Sequence, residues 1–276
     1  VRPWGRFSLW AAFALCAALA AGYALRHVLS QPVVPALIAR DADAPRELSP
    51  GLAAHLGRML HDRLPRDRSA SPKLIALTFD DGPYPVETPL LLDVLRDLHV
   101  KATFFLIGDD TELFPDLARR IEAAGDEIAN HTQTHPAAFE ALDTAQVRRE
   151  LRDGARTLER YVRDPAITTM MRPPHGRFTL ATVEAAQSAG YHVVLWNDDP
   201  GDWRAAATPE AMAAHVERFA TAPEIMLLHS GRLNTIEVLP TLVAHFRAAG
   251  FRFVTVGELM GQVPVTIIDH PAKLRV

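Results

Sequence analysis

The chain has 276 residues, 48% of them hydrophobic, with 29 Lys and Arg set against 33 Asp and Glu. That is enough apolar material for one fully packed domain with a small appendage, and it excludes disorder over most of the length. A formal net charge of −4, with no long run of one sign, excludes a nucleic-acid binder. The single cysteine, Cys16, excludes an intramolecular disulfide, so the fold must stand on its core.

From Phe7 to Leu25 there are 19 consecutive uncharged residues rich in Ala, Leu, Phe and Trp. At about 1.5 Å per helical residue this run nearly spans a hydrocarbon core of roughly 30 Å. Arg2 and Arg6 precede it and Arg26 follows, a bias that places the N-terminus in the cytoplasm and the rest outside. Ala18-Leu19-Ala20 is an A-x-A cleavage pattern, so an uncleaved anchor competes with a cleaved signal peptide, and both export the chain. Leu15 directly before Cys16 disfavours lipoprotein processing. A buried soluble helix is disfavoured by the absence of any polar face.

Residues 1–28 are therefore expected to be a signal anchor or signal peptide, and 29–72 a spacer containing Gln31-Pro32-Val33-Val34-Pro35 and a short helical pattern over Leu52 to Leu64. From Lys73 the texture changes, and 73–260 reads as one α/β unit followed by a tail over 261–276. Strands are expected at Leu74–Phe79, Ala102–Ile107, Glu127–Asn130, Ile167–Met171, His192–Trp196, Ile225–Leu228 and Arg252–Val256. Between them, 3.6-residue periodicity predicts helices at Leu90–Leu98, Leu113–Ala124, Thr144–Val162, Leu180–Ala189, Pro209–Ala220 and Glu237–Ala249. Gly125, Gly190 and Gly250 sit where helix C-caps belong. Strands alternating with helices require a parallel sheet with right-handed crossovers, either an open doubly wound sheet or a closed barrel.

The chemically active residues gather just beyond the C-terminal ends of these strands, where parallel α/β folds build their sites. They are Asp80-Asp81-Gly82-Pro83, His131 to His135, Arg172-Pro173-Pro174-His175-Gly176, Asp199 to Trp203, and His229. Singly, each has an ordinary explanation: a turn, a solvated histidine pair, a salt-bridge partner, a helix cap, a hydrogen-bonded core histidine. Five such clusters at one sheet edge point instead to a site. Two imidazoles four residues apart, facing the same way if helical, with one carboxylate form a three-ligand divalent centre with an open position. A second carboxylate beside the ligand suits a general base, and a histidine held protonated by a carboxylate suits the acid that protonates a departing amine.

Three stretches, Leu77-Thr78-Phe79-Asp80-Asp81-Gly82-Pro83, Lys101-Ala102-Thr103-Phe104-Phe105-Leu106-Ile107-Gly108 and Gly125 through Pro136, carry a family resemblance. With Arg172 to Gly176, Asp199 to Trp203 and Ile225 to His229, they resemble the polysaccharide deacetylases of carbohydrate esterase family 4, the NodB homology domain. The resemblance covers about Lys73 to Glu258. It implies a distorted (β/α)7 barrel and a metal-dependent hydrolase that removes acetyl groups from N-acetylated sugars by breaking linear amide C–N bonds. It further implies that Asp80 is the base, that Asp81, His131 and His135 hold the ion, usually zinc with cobalt or another divalent ion acceptable, and that Arg172 orients the base. His229 resembles the acid, with Asp202 raising its proton affinity. Trp203 and Leu227 would line the acetyl groove, and the His175 backbone N–H would stabilise the oxyanion.

The sequence departs from the pattern at His175, where Tyr or Phe is frequent, at Ser230, where an acidic residue is frequent, and at Ala129, which replaces a common glycine. The expected partner is a polysaccharide or oligosaccharide, peptidoglycan- or chitin-like, with the membrane engaged through an uncleaved N-terminal helix. Two alternatives share this scaffold: a non-catalytic carbohydrate-binding envelope protein, and a hydrolase of O-acetyl esters or cyclic amides.

Overall fold

A computed structural model of the chain describes residues 73–219 and 223–262. The expected anchor or signal, the spacer and the tail beyond 262 lie outside the described residues, among which no helix is long and apolar enough to cross a membrane. Seven strands form one sheet: β1 (Leu74–Asp80), β2 (Thr103–Leu106), β3 (Glu127–Asn130), β4 (Met170–Met171), β5 (His192–Val193), β6 (Glu224–His229) and β7 (Arg252–Phe253). Every pairing is parallel and the order is β5-β4-β3-β2-β1-β6. Ile75 pairs with Glu224 of β6 and with Phe253 of β7. β7 therefore occupies the edge of β1 that β2 takes over from Thr78 onward.

The sheet is curled, because the chain leaving β5 reaches β6. Asp198 bridges Met226, the N–H groups of Asn197 and Asp198 both donate to the Ile225 carbonyl, and Leu227 N–H donates to the Asp198 carbonyl. The segment that follows β5 is thereby joined to β6.

Alternation along β1 explains the packing. All seven residues of Leu74-Ile75-Ala76-Leu77-Thr78-Phe79-Asp80 are buried, as expected for a parallel strand covered on both faces. Ile75, Leu77 and Phe79 pack with Leu91, Leu92 and Leu95 of α1 (Glu87–Asp97), Met212 and Val216 of α7 (Pro209–Phe219), and Leu239 and Phe246 of α8 (Leu233–Ala248). Leu74 and Ala76 face the other way, into a cluster with Phe105, Ala129, Met171, Val193 and Leu227. Thr78 and Asp80 continue that second face, so the strand's inner side turns from apolar to polar toward its C-terminal end.

Further helices complete the layer around the sheet: α2 (Gly108–Leu113), α3 (Pro115–Ala124), α4 (Thr144–Glu159), α5 (Ala166–Thr169), α6 (Leu180–Ser188) and α9 (Val256–Gln262). α4 and α6 begin with reciprocal capping boxes, Asp143 with Gln146 and Thr179 with Thr182. Gly125, Gly190 and Gly250 all have positive φ, in keeping with their expected cap positions.

The structure differs from the sequence reading at several places. The strand expected at His192–Trp196 covers only His192–Val193, because the chain beyond it turns to reach Ile225, and a separate helix, α2, precedes the one expected from Leu113. The expected strand Ile167–Met171 is mostly α5, because Asp164-Pro165 starts a helical turn in which Asp164 Oδ1 accepts the Ala166 N–H at 2.9 Å. The seventh strand stops at Phe253, since Thr255 and Glu258 form a reciprocal pair, 3.1 and 3.2 Å, that caps α9. His131 and His135 are not on a helix; the segment is a loop with Thr132 at φ 72° and His135 at φ 49°, and loop geometry brings the imidazoles together.

Phe79 and Phe104 are fully buried and stack with ring centroids 5.3 Å apart. Replacing Phe79 by Ala is expected to cost about 3–5 kcal/mol, read as a lowered urea midpoint with unchanged slope.

Candidate active site

The site is built around Arg172, which follows β4 and is completely buried. Its Nη1 donates to Asp80 Oδ1 at 2.6 Å and to Thr78 Oγ1 at 2.8 Å. Its Nε and Nη2 donate to the carbonyls of Val194 and Leu195 at 3.2 and 3.5 Å. The guanidinium also lies over the rings of Phe105, 4.1 Å, and Trp196, 5.4 Å, so its apolar faces are covered as completely as its donors. Burial pulls its pKa below the ordinary value, against the opposing pull of Asp80. Thr78 Oγ1 in turn donates to the Met226 carbonyl at 2.6 Å, which ties β1, β4 and β6 together beneath the site.

Asp80 Oδ1 is occupied by Arg172, while Oδ2 lies 3.8 Å from His131 Nε2. Asp81, one residue on at φ 71°, turns the other way: its Oδ1 is 3.6 Å from His131 Nε2 and 3.4 Å from His135 Nε2. Ligand atoms of Asp81, His131 and His135 all fall within 4.8 Å of one another. His131 Nδ1 is 2.8 Å from the Arg172 carbonyl, which can only accept, so Nδ1 carries the proton and Nε2 presents its lone pair. Burial pushes the His131 pKa down to about 4, leaving the ring neutral at pH 7. Burial pushes the Asp81 carboxyl up, but His135, His229, His131 and His175 outweigh it and hold the carboxyl below its usual range. The Asp81 carboxylate oxygen thus faces the lone pair of His131 Nε2, two acceptors with no proton between them, with His135 Nε2 beside them. A divalent cation satisfies that set, and the residues fit one.

The loop between His131 and His135 is shaped by Asn130. Its Oδ1 accepts the Thr132 N–H at 2.8 Å, and its Nδ2 donates to the Leu151 carbonyl and to the Tyr191 hydroxyl at 2.8 and 3.2 Å.

At the end of β6, His229 Nδ1 is 2.7 Å from Asp202 Oδ1, and the His229 backbone N–H donates to Asp202 Oδ2 at 2.7 Å. Thr235 Oγ1 donates to the same Oδ2 at 2.7 Å. Burial pushes the imidazole pKa down, but Asp202, then Asp81 and Asp80, raise it to about 9. Asp199 is engaged elsewhere, accepting from Gly201 N at 2.9 Å and Trp203 Nε1 at 3.3 Å. Trp203 is thereby held at its edge while 36% exposed, and Leu227 lies buried on β6. His175, at φ 57°, sets its ring against His135 with centroids 4.6 Å apart.

Asp80, Asp81, Arg172, His131, His135 and His175 join through the contacts above, and His229 with Asp202 forms a second pair beside them, His229 lying opposite Asp80 in the β1–β6 register; Trp203 follows Asp202, and Leu227 lies within β6, two residues before its end. Sequence reasoning missed Thr78, Thr235 and Trp196. Thr78 was readable, since period-two alternation puts it on the same face of β1 as Asp80, whereas Thr235 carries no signal before the fold is known.

His229 titrates in a testable window. Its folded pKa lies above the ordinary 6.5, so its pairing stabilises the fold fully below that value and the benefit is lost as pH rises through about 9. In the chelator-treated chain, the imidazole resonance assigned with His229→Gln is expected to titrate near 9, and Asp202→Asn is expected to bring it down toward the ordinary range.

The polysaccharide deacetylase family model matches residues 67–194. A peptidoglycan-N-acetylglucosamine deacetylase of Bacillus cereus is 39% identical over 195 residues, spanning 68% of this chain and 88% of that protein. A chitooligosaccharide deacetylase of Sinorhizobium fredii is 38% identical over 61% of this chain and 76% of its own length. The solved family 4 carbohydrate esterase from Streptomyces lividans, in complex with acetate, superposes with a TM-score of 0.63 at 27% identity, covering 70% of this chain and 98% of that one. The fold, the order of the motifs and these relatives together establish that the chain belongs to the polysaccharide deacetylases of carbohydrate esterase family 4.

Proposed function

We propose that the protein is an exported, divalent-metal-dependent N-deacetylase of an envelope or extracellular glycan, working from a distorted (β/α)7 barrel behind an N-terminal anchor or signal. The observation that carries this reading is one cation-ready cluster beside a carboxylate held in place by Arg172 and an imidazole kept protonated by Asp202. Asp80 is the fixed carboxylate, and His229 is the protonated imidazole.

Asp81, His131 and His135 would hold the ion, zinc being the natural occupant of a His2Asp set and cobalt a workable substitute. When bound, such an ion polarises the acetamide carbonyl and makes a nearby water more acidic. Arg172 fixes Asp80 through Oδ1, leaving Oδ2 to take the proton from the attacking water. His229 holds Asp202 through Nδ1, so its Nε2 proton is the one available to the departing amine as the C–N bond breaks and acetate leaves. The positive charge left by that arrangement is stabilised by Asp202, which itself is braced by Thr235 and needs no rearrangement during the step. The His175 N–H would face the oxyanion, and Trp203 and Leu227 the acetyl methyl.

The export reading rests on the uncharged run Phe7 to Leu25. A glycan reached outside the cytoplasm suits the substrates named for the relatives, peptidoglycan and chitooligosaccharides.

The test is acetate release by the zinc- or cobalt-supplied chain from peptidoglycan, chitooligosaccharides and an O-acetylated xylan in parallel. Release from an N-acetylated polymer, abolished by chelation, is the expected result; release from the xylan alone would replace the amide by an ester. Asp80→Asn and His229→Ala are each expected to lower turnover by about 10²–10⁴-fold with metal content retained, whereas His131→Ala loses the metal. Undiminished turnover in Asp80→Asn would overturn the base assignment.

A further inference from the structure

Ser230 directly follows His229 on β6 and is 1% exposed. Its backbone N–H donates to the Asp80 carbonyl at 3.0 Å. Its Oγ lies 3.0 Å from the Asp81 carbonyl and 3.2 Å from the Asp80 carbonyl. Both contacts are to atoms that can only accept, so the hydroxyl donates, shared between two successive peptide units. The end of β1 is thus stitched to the end of β6 at the point where the backbone turns Asp80 toward Arg172 and Asp81 toward the histidines.

That turn needs a restraint. Asp81 sits at φ 71°, a left-handed conformation that costs a non-glycine residue free energy and persists only where surroundings impose it. Gly82, next in line at φ 69°, is packed so closely that a Cβ there would lie 2.9 Å from Ser230 Oγ. The Gly82 carbonyl is held from the other side by Ile107 N–H at 3.1 Å. The strained peptide is therefore clamped between β2 and Ser230.

We infer that Ser230 is a positioning residue that sets the divergence of Asp80 and Asp81 by hydrogen-bonding their carbonyls, and through it the affinity of the cation cluster and the competence of the base. This rests on the reading of the cluster as a divalent-metal site. In this chain the side-chain restraint is a hydroxyl donor, whereas an ionised carboxylate at this position accepts hydrogen bonds and cannot donate to a carbonyl. An acidic side chain here must hold the turn differently, and it adds a negative charge beside two aspartates.

The experiment compares the full chain with Ser230→Ala, Ser230→Thr and Ser230→Asp. Zinc affinity of the chelator-stripped protein is measured by competition with a chromogenic chelator, together with thermal midpoint, kcat and KM. Ser230→Ala is expected to weaken zinc by about 10–100-fold, the range seen when groups that orient metal ligands are removed, and to lower kcat with KM little changed. Ser230→Thr, which keeps the donor, is expected to restore zinc affinity, while Ser230→Asp does not. Zinc affinity in Ser230→Ala equal to that of the unaltered chain, or a threonine variant no better than alanine in a folded protein, would overturn the inference. Zinc affinity is read without turnover, so failure to release acetate from any polymer would count against the proposed reaction and leave this result intact.

Discussion

The ion pair between Arg172 and Asp80 is the constraint on which the rest of the site depends. A guanidinium with no solvent exposure has lost its hydration, and attraction to one carboxylate does not reliably repay that loss. The interior compensates by offering four acceptors and two aromatic faces. Those acceptors come from β1 and from the segment after β5, so the strands must curl for Arg172 to reach them. What the protein gains is a carboxylate whose position is fixed by the same contacts that make the sheet's inner end polar. The pair is worth more as geometry than as stability.

The same economy runs through the second half of the site. His229 and Asp202 share two hydrogen bonds, one through the ring and one through the backbone, so the carboxylate is aligned by the strand itself and the proton affinity follows from that alignment. Across the cluster, His131 moves the opposite way: its Nδ1 proton is committed to the Arg172 carbonyl, and burial keeps the ring neutral. Two buried histidines thus differ in charge: desolvation wins at His131, where no carboxylate faces Nδ1, and the Asp202 carboxylate outweighs it at His229.

Much of this was legible before the fold was known, because motif order and strand-end placement depend on local sequence. Asp80, Asp81 and His229 follow apolar runs that form buried strands, whereas the run before Arg172 is mostly helical and ends in a two-residue strand. What escaped was decided by contacts remote in sequence or by caps that compete with strand propensity. The Thr255-Val256-Gly257-Glu258 signature is a standard capping pattern, yet the apolar run Phe251–Val256 masks it. The choice of Asp202 over Asp199 turns on the positive-φ bend at Gly201 and on Trp203, whose indole occupies Asp199. The loop that carries His131 and His135 has no helical period at all, so a spacing argument reached the right pair of residues through the wrong local geometry.

The placement of β1 has a consequence for how the molecule is made. β1 lies at the beginning of the described chain, yet its partners include β6 and β7, and the atoms joining Asp81 to Ser230 are 149 residues apart. Contacts of such separation form slowly, after loop closure has been paid for. During synthesis the apolar face of Leu74 to Phe79 must wait, with only β2 to pair with, until the segment carrying His229 has emerged. A chain cut short before β6 therefore lacks β6, β7 and His229, and its exposed first strand makes it a substrate for aggregation or proteolysis. Completion of the sheet and delivery of His229 to the residues that follow β1 are therefore one event.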